Sequence, residues 1–126
     1  MNTNISPYLK TKVETASPAQ LILILYDELI KNLTQAGTQI RDKHFEAAHL
    51  KLVKAQEIVG ELAGSINLEA GSIATNLLSL YQFMINELVQ ANLNKDENRI
   101  TPILDMVGNL RKAWWTSVIV VNAAKK

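Results

Sequence analysis

Four stretches of the chain set apolar residues at alternating intervals of three and four, and that spacing leaves few folds open. Residues so spaced fall on one side of a helix, and four such stripes have to bury one another. The first runs through Ile22, Tyr26, Leu29, Leu33, Ala36 and Ile40, and the second through Phe45, Ala48, Leu52, Ala55, Val59, Leu62 and Ile66. The third holds Ile73, Leu77, Leu80, Met84, Leu88 and Ala91, and the fourth Ile100, Ile103, Val107, Leu110, Trp114 and Val121. No segment of strict polar and apolar alternation lies between turn signals, so no sheet is expected. The pattern predicts an all-α fold: an antiparallel up-down-up-down four-helix bundle, with residues 1–126 forming a single domain.

Start and stop signals divide the stripes into elements. Ser17 can accept the amide of Gln20, Gln20 can reach back to close a capping box, and Pro18 suits the first helical position. The first long helix therefore begins at Pro18 and ends near Arg41-Asp42-Lys43. Asn67 to Gly71 forms a turn, and the third long helix starts at Gly71 or Ser72. The polar stretch Asn92 to Asn98 reads as the last turn. Asp96 or Asn98 can cap the fourth helix, although Pro102 sits more comfortably as a first helical residue behind a Thr101 cap. Gly60 and Gly64 are expected to let a neighbouring helix approach closely, and Gly108 to mark a small-residue contact or a bend. Residues 1–16 form a short N-terminal helical arm and linker, with Ser6 and Pro7 repeating the start signal. An arm of about two turns is too short to persist alone, so it docks, either as permanent packing or as a removable cover.

Composition excludes several kinds of function. Thirteen basic and twelve acidic side chains give a formal charge of +1, so no global field recruits nucleic acid or an anionic membrane. No apolar run approaches the roughly 20 residues a membrane span needs, and no secretory leader is expected at the start. The absence of cysteine removes disulfides and thiolate chemistry and suits a reducing cytoplasm. His44 and His49 lie about 140° apart on a helix and cannot share a metal ion. The adjacent pairs Asp27 with Glu28 and Asp96 with Glu97 point apart and read as solvated faces and caps. With no catalytic constellation, no cofactor and no metal site in view, the chain does not read as an enzyme.

What the seams leave over is an apolar surplus. Leu21 to Tyr26 is an unbroken apolar run, so on a helix Leu23 falls to the side of the seam and Ile24 nearly opposite it, facing away from the core. Ile30 lies to one side in the same helix, Leu50 and Val53 lie off the second seam, and Leu78, Ile85 and Val89 form a second stripe on the third helix. Trp115 adds to the fourth. Contiguous stripes of this kind usually mark an interface, either with a helical partner laid in a groove or with a second copy as a homodimer; the alternative is that they are buried more tightly than the seams imply.

A set of short motifs then acquires meaning in order: Tyr8 followed by Val13; Ala16-Ser17-Pro18 leading into Leu21-Ile22 and Leu25-Tyr26-Asp27; Lys54-Ala55-Gln56 with Ile58, Glu61 and Leu62; Leu80-Tyr81 with Leu88, Ala91 and Asn92; and Leu110-Arg111 with Ala113-Trp114. In that order and spacing the chain resembles the flagellar secretion chaperone family FliS nearly end to end, departing at Pro102 and in its second tryptophan, Trp115. The resemblance implies a cytoplasmic, non-enzymatic chaperone that binds the C-terminal region of flagellin, prevents premature polymerisation and keeps it competent for type III export. It further implies the anti-sigma factor FlgM and the export gate protein FlhA as secondary partners. By position, Ile5, Tyr8 and Leu9 would be the residues of an N-terminal lid over part of the client site.

Overall fold

The Ser17 side chain starts the first long helix in the way its chemistry suggests. Its hydroxyl accepts the Gln20 amide at 3.2 Å, Gln20 Oε1 accepts the Ser17 amide at 3.0 Å, and Pro18 opens the helix. The structure, a computed structural model, describes residues 7–124, and of residues 115–124 the backbone alone. Its regular elements are all helical: α1 (Pro7–Thr15), α2 (Pro18–Arg41), α3 (Phe45–Gly64), a single 3₁₀ turn at Leu68–Ala70, α4 (Ser72–Asn94) and α5 (Glu97–Ala124).

The four long helices form a ring in chain order. Helix α2 packs on α3 and α5, and α4 packs on the same two from the opposite side. Leu29, Leu33, Leu52, Val59, Met84, Leu88, Ile100, Ile103 and Val107 meet at its centre, each 1 % exposed or less. Burying a side chain of this size contributes roughly 1.5 to 3 kcal/mol, which is where the stability of short-looped bundles comes from.

Among the seam positions whose side chains are described, two are exposed; the Val121 side chain lies outside the described residues. Phe45 is 47 % exposed and Ile73 is 78 % exposed, each in the opening turn of its helix. In the first half of α4 the inward side is turned by one residue, so Ala74 and Tyr81 are buried where Ile73 and Leu80 were expected. The glycines also differ from expectation. A Cβ built at Gly60, Gly64 or Gly108 meets nothing within 4 Å, so none of the three is a point of close helix approach.

The turn between α4 and α5 is tighter than its polar sequence implies. Helix α4 continues to Asn94, where Lys95 stops it in the left-handed region at φ 49°, with Lys95 Nζ donating to the Asn92 carbonyl at 2.7 Å. Asp96 Oδ1 then accepts the Asn98 amide at 2.9 Å and starts α5. Pro102 thus lies inside the helix instead of opening it. The start at Glu97 brings Ile100 into the core at 1 % exposure, and the hydrogen bond that proline forgoes belongs to the exposed first turn. Glu97 closes the junction by packing on Gly37 and pairing with Arg41.

Candidate partner-binding surface

Helix α1 folds back along α2 and holds on by few side chains. None of its residues is fully buried. Leu9 and Val13, four apart and so on one face, are half-buried, as is Ala16 in the link. The hydroxyls of Thr11 and Thr15 turn back to the carbonyls of Pro7 and Thr11 within the arm, each at 3.0 Å. Lys12 Nζ lies 5.8 Å from the centre of the Tyr8 ring, while Tyr8 itself is 75 % exposed.

Beneath the arm the structure corrects the reading of the apolar run. Leu23 and Ile24 are not open to solvent; each is 6 % exposed, yet neither belongs to the central core cluster. Ile24 does leave α2 on the side away from the core, and α1 covers it there. A cavity of about 220 Å³ sets Ile24 against Tyr8, Leu9 and Lys12, and a second of about 360 Å³ sets Leu23 and Ile24 against Lys12, Thr15 and Ala16. Ile24 is therefore buried outside the core cluster beneath the arm, and Leu23 lies between the arm and Arg111 of the bundle.

The far wall of that second cavity is built by α5. Arg111 Nε donates to Asp27 Oδ1 at 2.6 Å and a terminal nitrogen reaches Oδ2 at 3.4 Å, a two-point clamp that raises the arginine pKa further. Three residues on, Trp114 Nε1 donates to the Ala19 carbonyl at 3.0 Å. Asp27 is thus half of a clamp between α2 and α5, not simply a solvated charge. Its partner lies 84 residues away, and local sequence pattern holds no sign of such a pairing.

Next to the cavity that sets Ile24 against Leu9, a groove of about 400 Å³ runs between α2 and α3, lined by Ala47, Leu50 and Val53 and, from the arm, by Leu9. Lys31, Lys51 and Lys54 flank it beside Glu28 and Glu57. Asn32, 5 % exposed, lies in its floor and donates to the Glu28 carbonyl at 2.8 Å. Leu50 is 63 % exposed.

The structure thus gathers Ile24, Leu50 and Val53 around Leu9, with Leu23 beside Ile24 in the cavity lined by Lys12, Thr15 and Ala16. Ile30 and Ile85 are half-buried and pack against the core, which makes them poorer candidates for contact with a partner. Leu78 and Val89 belong to α4, across the ring from α2, and form a separate face with the exposed Leu93, while the exposed Phe83 lies about 140° round the helix from Leu78. Ile5 and the Trp115 side chain lie outside the described residues. Sequence pattern missed Lys12, Asp27 and Arg111 at the rim, since charged residues on a helix face carry no mark of what they touch.

Nothing in this surface is arranged for bond chemistry. Among the described residues no three His, Asp or Glu side chains converge to hold a metal ion, and no described helix is long and apolar enough to cross a membrane. A cover held by two half-buried aliphatic side chains over an apolar strip suits reversible protein binding.

Comparison with known proteins points the same way. A family model described as flagellar protein FliS matches residues 1–120. The chain is 36 % identical over 118 residues to the flagellar secretion chaperone FliS of Salmonella typhimurium (strain LT2), covering 89 % of this chain and 87 % of that protein. It is 31 % identical over 107 residues to the protein of the same name from Bacillus subtilis (strain 168), covering 85 % and 80 %. With the Vibrio cholerae protein of that name it shares 28 % identity over 119 residues, covering 90 % and 88 %.

Proposed function

The chain belongs to the FliS family of flagellar secretion chaperones, and from that membership we propose that it binds the C-terminal region of flagellin in the cytoplasm. Bound there, flagellin is kept from premature polymerisation and held competent for type III flagellar export. The observation that supports this reading is the strip Leu23–Ile24, buried outside the core cluster and facing the thinly anchored arm. A chaperone without a client needs its apolar client surface covered, or it aggregates. A segment of the same chain, tethered through Ala16 and Ser17, covers it at high effective concentration and needs no second molecule.

On this reading the arm is a lid, with Tyr8 and Leu9 in it and Ile5 assigned by position. Leu23, Ile24, Leu50 and Val53 are the client anchors. Each aliphatic client residue that replaces an arm residue regains roughly 1.5 to 3 kcal/mol of burial, offset by the cost of ordering a disordered tail. Several such anchors suffice for tight binding. Val89 and Leu78 on α4 offer a second contact face for the same wrapped segment. FlgM and FlhA are further partners on the strength of the resemblance.

Titration calorimetry of a flagellin C-terminal peptide into the full chain and into a chain lacking residues 1–13 tests the lid. Removal of the arm is expected to raise affinity by about tenfold or more, since the competitor is gone. Unchanged or weaker binding would take the lid out of the mechanism, and absence of binding to both chains would remove flagellin as the client.

A further inference from the structure

We infer that the open groove between α2 and α3 is the toehold at which the flagellin segment first docks, and that from there it peels the arm away by displacing Leu9. The inference rests on the reading of flagellin as client and concerns the route by which it reaches the covered strip.

Two facts of exposure set that route. Leu23 and Ile24, each 6 % exposed under α1, cannot make a first contact with anything in solution. Leu50, 63 % exposed, can, and the half-buried Ala47 and Val53 continue its surface into the groove. The groove and the covered strip are not separate sites. Leu9 lines the groove and also lines the cavity over Ile24, so a single arm side chain stands at the boundary between the open and the covered surface. An apolar segment laid along Leu50 and Val53 therefore arrives beside Leu9 and competes for its seat.

Once Leu9 is displaced, the arm has little left to hold it. Val13 and Ala16 are its other half-buried side chains, and a nine-residue helix does not persist without docking. The arm melts when its leading anchor goes, and the segment extends onto Ile24 and Leu23 in its place. Displacement from a toehold makes arm departure depend on the client. The competing route, in which the arm opens unaided and the client fills the vacancy, makes departure independent of it.

The chain contains no cysteine, so Lys10→Cys gives a single attachment point for a fluorophore on an exposed arm position. Stopped-flow mixing of the labelled full chain with a flagellin C-terminal peptide reads arm departure, and hydrogen exchange of the α1 amides without peptide gives the unaided opening rate. Saturating peptide is expected to drive departure at least about tenfold faster than unaided opening. Leu50→Asp is expected to abolish that acceleration, while Ile73→Asp, exposed at the start of α4 outside the groove and away from the Leu78–Val89 face, leaves it intact. Departure at the unaided rate whatever the peptide concentration, with the peptide still binding at equilibrium, overturns the toehold and leaves the client assignment standing. Equal acceleration in the Leu50→Asp chain also overturns it. Failure of the peptide to bind either the full chain or the chain lacking residues 1–13 removes the client reading and this route with it, while binding to the shortened chain alone overturns the toehold.

Discussion

Two phenol groups meet across the middle of the bundle. The hydroxyls of Tyr26 on α2 and Tyr81 on α4 are 2.6 Å apart, and both side chains are 2 % exposed. Burial raises both pKa values above the ordinary 10.0, for Tyr81 with help from the hydrogen bond to Tyr26. Because the folded state holds its phenol protons more tightly than the unfolded chain, stability from this source is fully present below about pH 10 and falls as pH rises beyond it. Urea titrations from pH 7 to pH 11 are expected to show that alkaline loss in the natural chain and a flatter profile with Tyr26→Phe and Tyr81→Phe combined. Either substitution alone leaves the other hydroxyl unpaired in the core and is expected to cost about 1 to 2 kcal/mol at pH 7; the pair together cost less than the sum. Only half of this feature is readable from sequence. Tyr26 sits on an apolar spacing that includes it, whereas Tyr81 neighbours Leu80, and periodicity alone gives no reason to prefer the phenol as the inward residue.

Helix boundaries are legible in the sequence wherever a side chain supplies the missing backbone partner. Ser17 with Gln20 marks the start of α2, while α3 begins at Phe45 behind His44, which makes no side-chain cap. Pro102 misleads because its φ suits a helix start, and the competing cap at Asp96 wins by bringing Ile100 inward. The glycines mislead for a different reason. Small residues spaced by four on a helix resemble a contact stripe, but a contact also needs a neighbour on that side, and sequence periodicity says nothing about which side of α3 is left unpacked. Open glycines inside helices carry a backbone entropy cost with nothing gained. Gly60→Ala is therefore expected to stabilise the protein by about 1 kcal/mol, read as a rise of about 3 to 5 °C in thermal melting. Gly108→Ala is expected to act in the same direction. A loss in either variant would mean that a partner side chain occupies the space.

At the scale of the whole molecule the sequence pattern anticipates the bundle well and its covering poorly. Four seams are enough to specify four packed helices, because each seam fixes its own inward direction. Where the surplus side chains go depends on α1, which is too short for its own pattern to say what it lies against. The result is a molecule of two stabilities. Residues in the ring are held by fully buried neighbours, and those in α1 by partly buried ones. Native-state hydrogen exchange is expected to find α1 amides protected by little more than local fraying, while α2, α3 and α5 around the core approach the global value. Equal protection throughout would show the arm to be a permanent part of the fold.

The ring of helices also has one join that no turn crosses. Three of its four sides are bridged by the chain itself, but α2 meets α5 only through non-covalent contacts, among them the Asp27–Arg111 clamp and the Trp114 bond to the Ala19 carbonyl. The start of α2 and the far end of α5 emerge at the same end of the bundle. Tension applied between those ends loads that join one contact at a time, as a peel and not as a shear. The protein is therefore mechanically weak in one direction despite a well-packed core, and a threading machine that pulled on its ends would open it along the α2–α5 side first.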